Sequence, residues 1–186
     1  MGSGPGDEEL MLRYGAGDAE AFETLYRRHR GPLYRFLLRQ ANDAATAEEL
    51  FQDVWMRVID YRERYEPRAR FSSWIYAIAH NRLMDFYRAR GKAGFLAGEE
   101  SGEALESLPA DDLPVDALLD RRRAAERLLA ALAELPEAQR EAFLLQQEGD
   151  LSVEEIGAAT GVSRETAKSR LRYAVAKLRA SLRTLP

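Results

Sequence analysis

Between Leu151 and Leu182 the chain reads LSVEEIGAATGVSRETAKSRLRYAVAKLRASL, and the punctuation of that stretch leaves little choice of local structure. Ser152 with Glu155 three residues on is a capping box, in which each side chain satisfies a free backbone N–H at the start of a helix. Gly161 then supplies a residue tolerant of positive φ where that helix must stop, and Ser163 is placed to cap the next one. In the second helix Ala167, Leu171, Ala174, Val175, Leu178 and Leu182 recur at steps of three and four, so they share one buried face. Arg164, Glu165, Lys168, Ser169 and Arg172 are left for the opposite face. The pattern is a helix-turn-helix with a basic free face on its second helix.

The same logic gives helices upstream. Asp18 caps one whose Phe22, Leu25 and Tyr26 lead toward His29; Gly31-Pro32 punctuates it, and Leu33, Phe36 and Leu37 continue a helical stripe. Asn42-Asp43 marks a turn, after which Thr46 and Glu49 form a second capping box opening AEELFQDVWMRVIDY. In that helix Leu50, Val54, Val58 and Tyr61 run at four-residue spacing, and Glu48, Glu49 and Asp53 crowd the end where the helix dipole favours acid. DYRERYEPRAR, polar, basic and broken by Pro67, is a loop. The helix FSSWIYAIAHNRLMDFYRAR then buries Phe71, Trp74, Ile75, Ile78, Ala79 and Phe86, with Tyr76, His80, Tyr87 and Arg90 roughly opposite and Asn81 and Arg88 on a flank. Core packing is the commoner use of such aromatics, yet aromatics interleaved with Arg also suit single-stranded nucleic acid.

Charge then divides the chain. The net value of −4 argues against a nucleic-acid partner until its distribution is read. From Glu99 to Asp120 there are eight carboxylates and no Lys or Arg, in a stretch rich in Gly and Pro; from Arg164 onward seven basic residues face Glu165 alone. Patches, not the net value, set phosphate attraction. The expected organisation is a disordered tail over 1–7, a helical domain over 8–92, an acidic linker over 93–120 and a helix-turn-helix domain over 121–186. DRRRAAERLLAALAEL resumes the helical pattern, and Pro136 breaks it before PEAQREAFLLQQ.

Cysteine is absent, which removes disulfides and thiol chemistry. The two histidines, His29 and His80, fit no helical metal spacing and read as surface or groove residues. No nucleophile–base pair is visible, so no catalytic residue, metal or cofactor is assigned. No apolar run approaches the roughly 20 residues a membrane helix needs, and the N-terminus lacks a signal pattern; a cytoplasmic protein without membrane insertion is expected.

Four blocks in this order, FETLYRRHRGPLYRFLLR, AEELFQDVWMRVI, FSSWIYAIAHNRLMDFYRAR and LPEAQREAFLLQQEGDLSVEEIGAATGVSRETAKSRLRYAVAKLR, resemble the extracytoplasmic-function (ECF) sigma factors of bacterial RNA polymerase. The resemblance implies an all-α fold of two small helical domains, a sigma-2-like bundle and a sigma-4-like helix-turn-helix domain, joined by a flexible acidic linker. It implies a promoter-specificity subunit that is not an enzyme. Glu48, Glu49, Gln52 and Asp53 match the segment that docks on the clamp helices of the polymerase's largest catalytic subunit, and the flap of the second catalytic subunit is a further expected contact. Asn81 and Asp85 match positions near the minus 10 element, where the family melts the duplex and holds a flipped base, and 60–70 matches the loop of that pocket. Tyr76 and Arg88 are expected beside them. Arg164, Thr166, Lys168, Ser169 and Arg172 are expected to read or position the minus 35 element in the major groove, because the exposed start of the second helix is what this motif offers to base edges. Promoter DNA, duplex and melted, is therefore the expected nucleic-acid partner, and relatives are commonly held by an anti-sigma factor. The alternative is a stand-alone helix-turn-helix regulator.

Overall fold

The computed structural model describes residues 4–91 and 115–183, with side chains in the second part from Leu119 onward. All regular structure among the described residues is helical: α1 (Asp7–Gly15), α2 (Ala19–Ala41), α3 (Ala44–Tyr61), α4 (Phe71–Arg90), α5 (Val115–Ala133), α6 (Glu137–Gly149), α7 (Val153–Thr160) and α8 (Arg164–Arg183), with a 3-10 turn over Arg62–Arg64. The acidic linker lies outside the described residues up to 114; α5 begins at Val115, inside the span expected as linker.

The first helical domain is built on α2. Asp18 caps it by accepting from the backbone N–H of Glu20 and Ala21 at 3.1 and 3.2 Å. Gly31-Pro32 does not interrupt it: α2 runs unbroken through Pro32. An internal proline costs a hydrogen bond and crowds the preceding turn, but Gly31 carries no Cβ to meet the pyrrolidine ring. Leu25, Leu33, Phe36 and Leu37, all fully buried, hold both halves in line. Asn42 ends α2 in the left-handed region at φ 53°, and Asp43 caps α3 by accepting from the Thr46 N–H at 2.8 Å. The Thr46–Glu49 capping box is therefore displaced: the turn itself supplies the cap, and Thr46 is buried inside the first turn of α3.

The sequence reading contains no helix at α1. Its Leu10 and Met11 are buried, and Asp7, within the span expected as tail, pairs with Arg28 at 2.7 Å and His29 at 2.6 Å. Those two partners hold the Asp7 carboxyl below the usual carboxylate range. His29, its ring against Phe71 with centroids 5.0 Å apart, is an acid-paired, largely buried residue.

In the second domain α5, α6 and α8 enclose Leu132, Leu135, Leu144, Leu145, Ala174 and Leu178, with α7 closing the motif. Leu182, expected on that face, is exposed. The two domains meet along α2 and α4 on one side and α6 and α7 on the other.

Candidate nucleic-acid interface

The helix-turn-helix forms as its punctuation dictates. The Glu155 N–H donates to Ser152 Oγ at 3.2 Å and Glu155 Oε2 accepts from the Ser152 N–H at 2.8 Å, completing the capping box. Gly161 adopts φ 71° at the C-cap of α7. Gly157 lets the turn fold back, since a Cβ there would lie 2.9 Å from the Val162 carbonyl oxygen. Ser163 Oγ then accepts from the Thr166 N–H at 3.1 Å and starts α8. Ala167 is fully buried, while Arg164, Thr166, Lys168 and Arg172 are exposed and Ser169 half-buried. Arg164 bridges to Glu154 at 2.5 Å and Glu165 at 3.3 Å, and its hydrogen bond holds the Glu154 carboxyl below the usual range. The Arg172 guanidinium lies over the Tyr173 ring, 5.2 Å from its centroid.

The second constellation surrounds α4. Asn81 is exposed and lines a cleft of about 250 Å³ with Arg57, Tyr61, Trp74, Ile78 and Arg82. One turn further, Asp85 pairs with Arg82 at 2.6 Å and Arg88 at 3.1 Å. A neighbouring cleft of about 490 Å³ opens between the 61–69 segment and α4, lined by Tyr61, Arg64, Tyr65, Arg68, Ser73 and Trp74, and α7 closes it with Glu155, Ala158 and Ala159. Tyr65 anchors the loop: its ring packs on Trp74 at 5.0 Å, and burial pushes its phenol up to about 12, keeping it neutral at physiological pH. Helix α4 receives its cap from far away in sequence, as Glu8 Oε1 accepts from the Phe71 N–H at 2.6 Å. Gly15 lets α1 approach the Arg62 carbonyl so closely that any Cβ would clash.

Tyr76 corrects the sequence reading. Expected on the free face of α4, it is 1% exposed, its ring edge-on to Phe36 at 5.3 Å and against Gly149 of α6. Burial there raises its phenol pKa. His80 is likewise covered, its Nδ1 2.6 Å from Glu141 Oε1, and Tyr87 donates to the Gln40 carbonyl at 2.9 Å. That face of α4 is covered from both domains: Phe36 and Gln40 of α2 meet Tyr76 and Tyr87, while Gly149 and Glu141 of α6 meet Tyr76 and His80.

Glu48, Glu49, Gln52 and Asp53 lie together on α3, and all four are exposed. They form an acidic, solvent-facing patch on the first half of α3.

Several residues were not singled out from the sequence. Glu148 is held by Arg35 at 2.8 Å and Arg39 at 3.4 Å, Glu155 by Ser73 at 2.7 Å and Arg70 at 3.2 Å, and Arg140 donates to Gln40 at 2.9 Å. Each pair joins positions 82 or more residues apart, or 61 in the case of His80 and Glu141. The only trace in the sequence is an alternation of basic residues on α2 with acidic ones on α6, which an exposed helix face explains equally well.

Comparison with known proteins places both halves. Residues 25–93 match the Sigma-70 region 2 model and residues 125–178 the Sigma-70, region 4 model. The chain is 37% identical over 169 residues to the RNA polymerase sigma factor CarQ of Myxococcus xanthus, covering 91% of this chain and 93% of that one. It is 34% identical over 172 residues to the ECF RNA polymerase sigma factor SigL of Mycobacterium tuberculosis, again covering 91% and 93%. In fold it resembles the sigma factor RpoE solved with the anti-sigma factor NepR from Bartonella quintana (TM-score 0.68, 23% identity, 90% and 99% covered). It also resembles CnrH solved with the cytosolic domain of CnrY (TM-score 0.67, 22% identity, 97% and 99% covered).

Proposed function

The chain belongs to the ECF sigma factors, promoter-specificity subunits of bacterial RNA polymerase, and from that premise we propose how its surfaces divide the work. The observation that carries the division is the pairing of an exposed recognition helix in the region 4 match with an aromatic, Arg-rimmed cleft in the region 2 match. Arg164, Thr166, Lys168, Ser169 and Arg172 meet the minus 35 duplex. Arg and Lys donate to guanine O6 and N7, and the remaining contacts fix the helix on the phosphates. Asn81 lies at the rim where the minus 10 strand is held open, with Asp85 fixing Arg82 and Arg88 beside it. Glu48, Glu49, Gln52 and Asp53 offer an acidic face to the clamp helices of the largest subunit, and electrostatic complementarity there sets encounter rate and register. Sigma factors are regulatory subunits, and the phosphodiester chemistry is assigned to the polymerase in the cytoplasm. No helix among the described residues is long and apolar enough to cross a membrane.

The stand-alone regulator, in which the N-terminal helices would serve dimerisation or sensing, is not favoured, because those helices match sigma-70 region 2 and the relatives matched over most of the chain are sigma factors. The test is reconstitution: the purified chain with core polymerase should direct transcription from a subset of host promoters that core alone ignores. Tight core binding without promoter-specific initiation on a genomic template library would reverse the reading.

A further inference from the structure

The 62–70 segment, which walls the larger cleft against α4, does little to hold its own shape. Beyond its 3-10 turn it makes, among the described residues, one backbone hydrogen bond to itself, from the Arg68 N–H to the Glu66 carbonyl at 2.8 Å. Tyr65 is fixed by its ring, 5.0 Å from Trp74 and 6.4 Å from Phe71, and its buried hydroxyl has no hydrogen-bond partner among the described residues. Where the segment runs into α4, Arg70 stands at the N-cap without a side-chain cap, so the first N–H groups of that helix need an acceptor from elsewhere. A segment with so few bonds of its own takes its shape from whatever holds its two ends.

Helix α1 holds both. At the start of the segment Gly15 lies against the Arg62 carbonyl, and the Arg62 guanidinium is 6.0 Å from the centroid of the Tyr14 ring. At the other end Glu8 Oε1 accepts from the Phe71 N–H at 2.6 Å. Glu8 and Gly15 belong to one helix, about 10 Å apart along its axis, so neither grip moves without the other. The helix is in turn fixed to α2: Leu10 and Met11 are buried, Tyr14 packs on Phe22 at 4.7 Å, and Asp7 pairs with Arg28 and His29. It therefore spans the segment as a strut anchored in the core. The strut lies ahead of the region 2 match, which begins at residue 25.

We propose that α1 is a brace that sets the shape of the 62–70 segment, with Glu8 and Gly15 as positioning residues for base selection at the minus 10 element. The inference rests on the sigma-factor reading of the cleft and adds to it the part that keeps the wall of the cleft in place. A pocket that reads a base by its shape and hydrogen bonds has to be held to within about 0.5 Å, and a wall tied at both ends meets that demand. Glu8 and Gly15 act through Phe71 and Arg62, not by touching DNA.

The test is competition in reconstituted holoenzyme. Transcription from a host promoter is measured against the same promoter carrying one base-pair substitution, first in the minus 10 element and then in the minus 35 element. The ratio of the two transcripts does not depend on how much protein is active, so a merely structural loss leaves it unmoved. Discrimination against a wrong base pair is typically about tenfold, and Glu8→Ala should cut it to about threefold at minus 10 while leaving it unchanged at minus 35. Glu8→Gln keeps an acceptor for the Phe71 N–H and should restore the ratio. Gly15→Ala, in which higher helix propensity offsets part of the strain, displaces the Arg62 end and should lower minus 10 discrimination as well. An unchanged minus 10 ratio in either alanine variant, or equal losses at both elements, overturns the brace. A ratio for Glu8→Gln as low as that for Glu8→Ala overturns the hydrogen bond as its grip. The unsubstituted chain separates the levels: its own discrimination at minus 10 alongside such a result breaks the brace alone, whereas no discrimination at either element breaks the reading beneath.

Discussion

On the proposed reading two surfaces meet promoter DNA, and the chain treats them differently. Helix α8 stands in solvent with Arg164, Thr166, Lys168 and Arg172 exposed, its packing confined to the opposite stripe. Helix α4 leaves only a narrow free flank, at Asn81 and its last turn: Phe71, Ile75, Ala79 and Leu83 are buried within its own domain, Tyr76 lies between Phe36 of α2 and Gly149 of α6, and His80 is covered by Glu141 of α6. A recognition helix needs only one partner face, and its free side chains read a groove that is already formed. A melting helix has to present aromatics and bases to a strand that does not yet exist, and in isolation those rings seek burial. Phe36 of α2 and Gly149 of α6 together provide it for Tyr76.

The largest expected effect tests whether α4 is covered at all. Tyr76→Ala removes a fully buried ring and should cost about 3–5 kcal/mol in chemical denaturation of the full chain. A loss under about 1 kcal/mol would place Tyr76 in solvent and erase the contrast with α8. Gly149→Ala attacks the same contact from the other side, since the added Cβ would lie 2.9–3.0 Å from the Tyr76 ring and 2.6 Å from Leu151 Cδ1. Overpacking costs typically about 1–3 kcal/mol, partly offset by up to about 1 kcal/mol of helix propensity at a helical glycine. The distance between labels on the two domains should increase, while duplex binding by α8 stays intact. An unchanged distance would mean that Gly149 is not the point of closest approach.

On the exposed surface, Lys168→Ala should weaken binding to a minus 35 duplex by about 1–2 kcal/mol, roughly tenfold, and leave an unrelated duplex unaffected. Equal losses on both would assign Lys168 to phosphate. The smallest effect is a pH dependence of the seam between the two domains. Burial, with the neighbouring Glu141 charge, pushes Glu137 up to about 7, while Arg140 on its own helix and His80 on α4 pull the other way and Tyr87 of α4 lies beside it. A carboxyl raised on closure leaves closure unpenalised below its ordinary value near 4.5; the penalty grows as pH rises through 7. Glu137→Gln should therefore stabilise the closed chain at pH 8 by on the order of 1 kcal/mol after solvent screening, and have no effect at pH 4, read by thermal unfolding. A stabilisation independent of pH would assign the gain to something other than titration.

Where one residue type dictates a backbone state, the sequence was legible. Asp18, the Ser152–Glu155 box, Gly161 and Ser163 all act locally, within four residues of their partners, and each cap forms as expected. The displaced box at Thr46 and the unbroken helix through Pro32 show the limit of this logic. Asp43 sits closer to the first free N–H groups, and buried leucines on either side of Pro32 outweigh one lost hydrogen bond. The exposed faces of α3 and α8 follow from periodicity because nothing else among the described residues covers them. On α4 periodicity placed Tyr76, His80 and Tyr87 on one face but did not show that α2 and α6 cover it.

The sequence by itself determined an all-helical chain, the helix-turn-helix, the acidic face of α3 and the family, because these rest on spacings of three or four residues and on the order of blocks along the chain. Only the tertiary structure decided that Glu8 caps α4, that Tyr76 is core rather than surface, and that Glu155 serves both as a cap for α7 and as the acid held by Arg70 and Ser73. The physical reason is range. A cap or an amphipathic stripe is complete within one helix, whereas a carboxylate meets a donor 63 or 82 residues away only after two packed surfaces have set the distance between them.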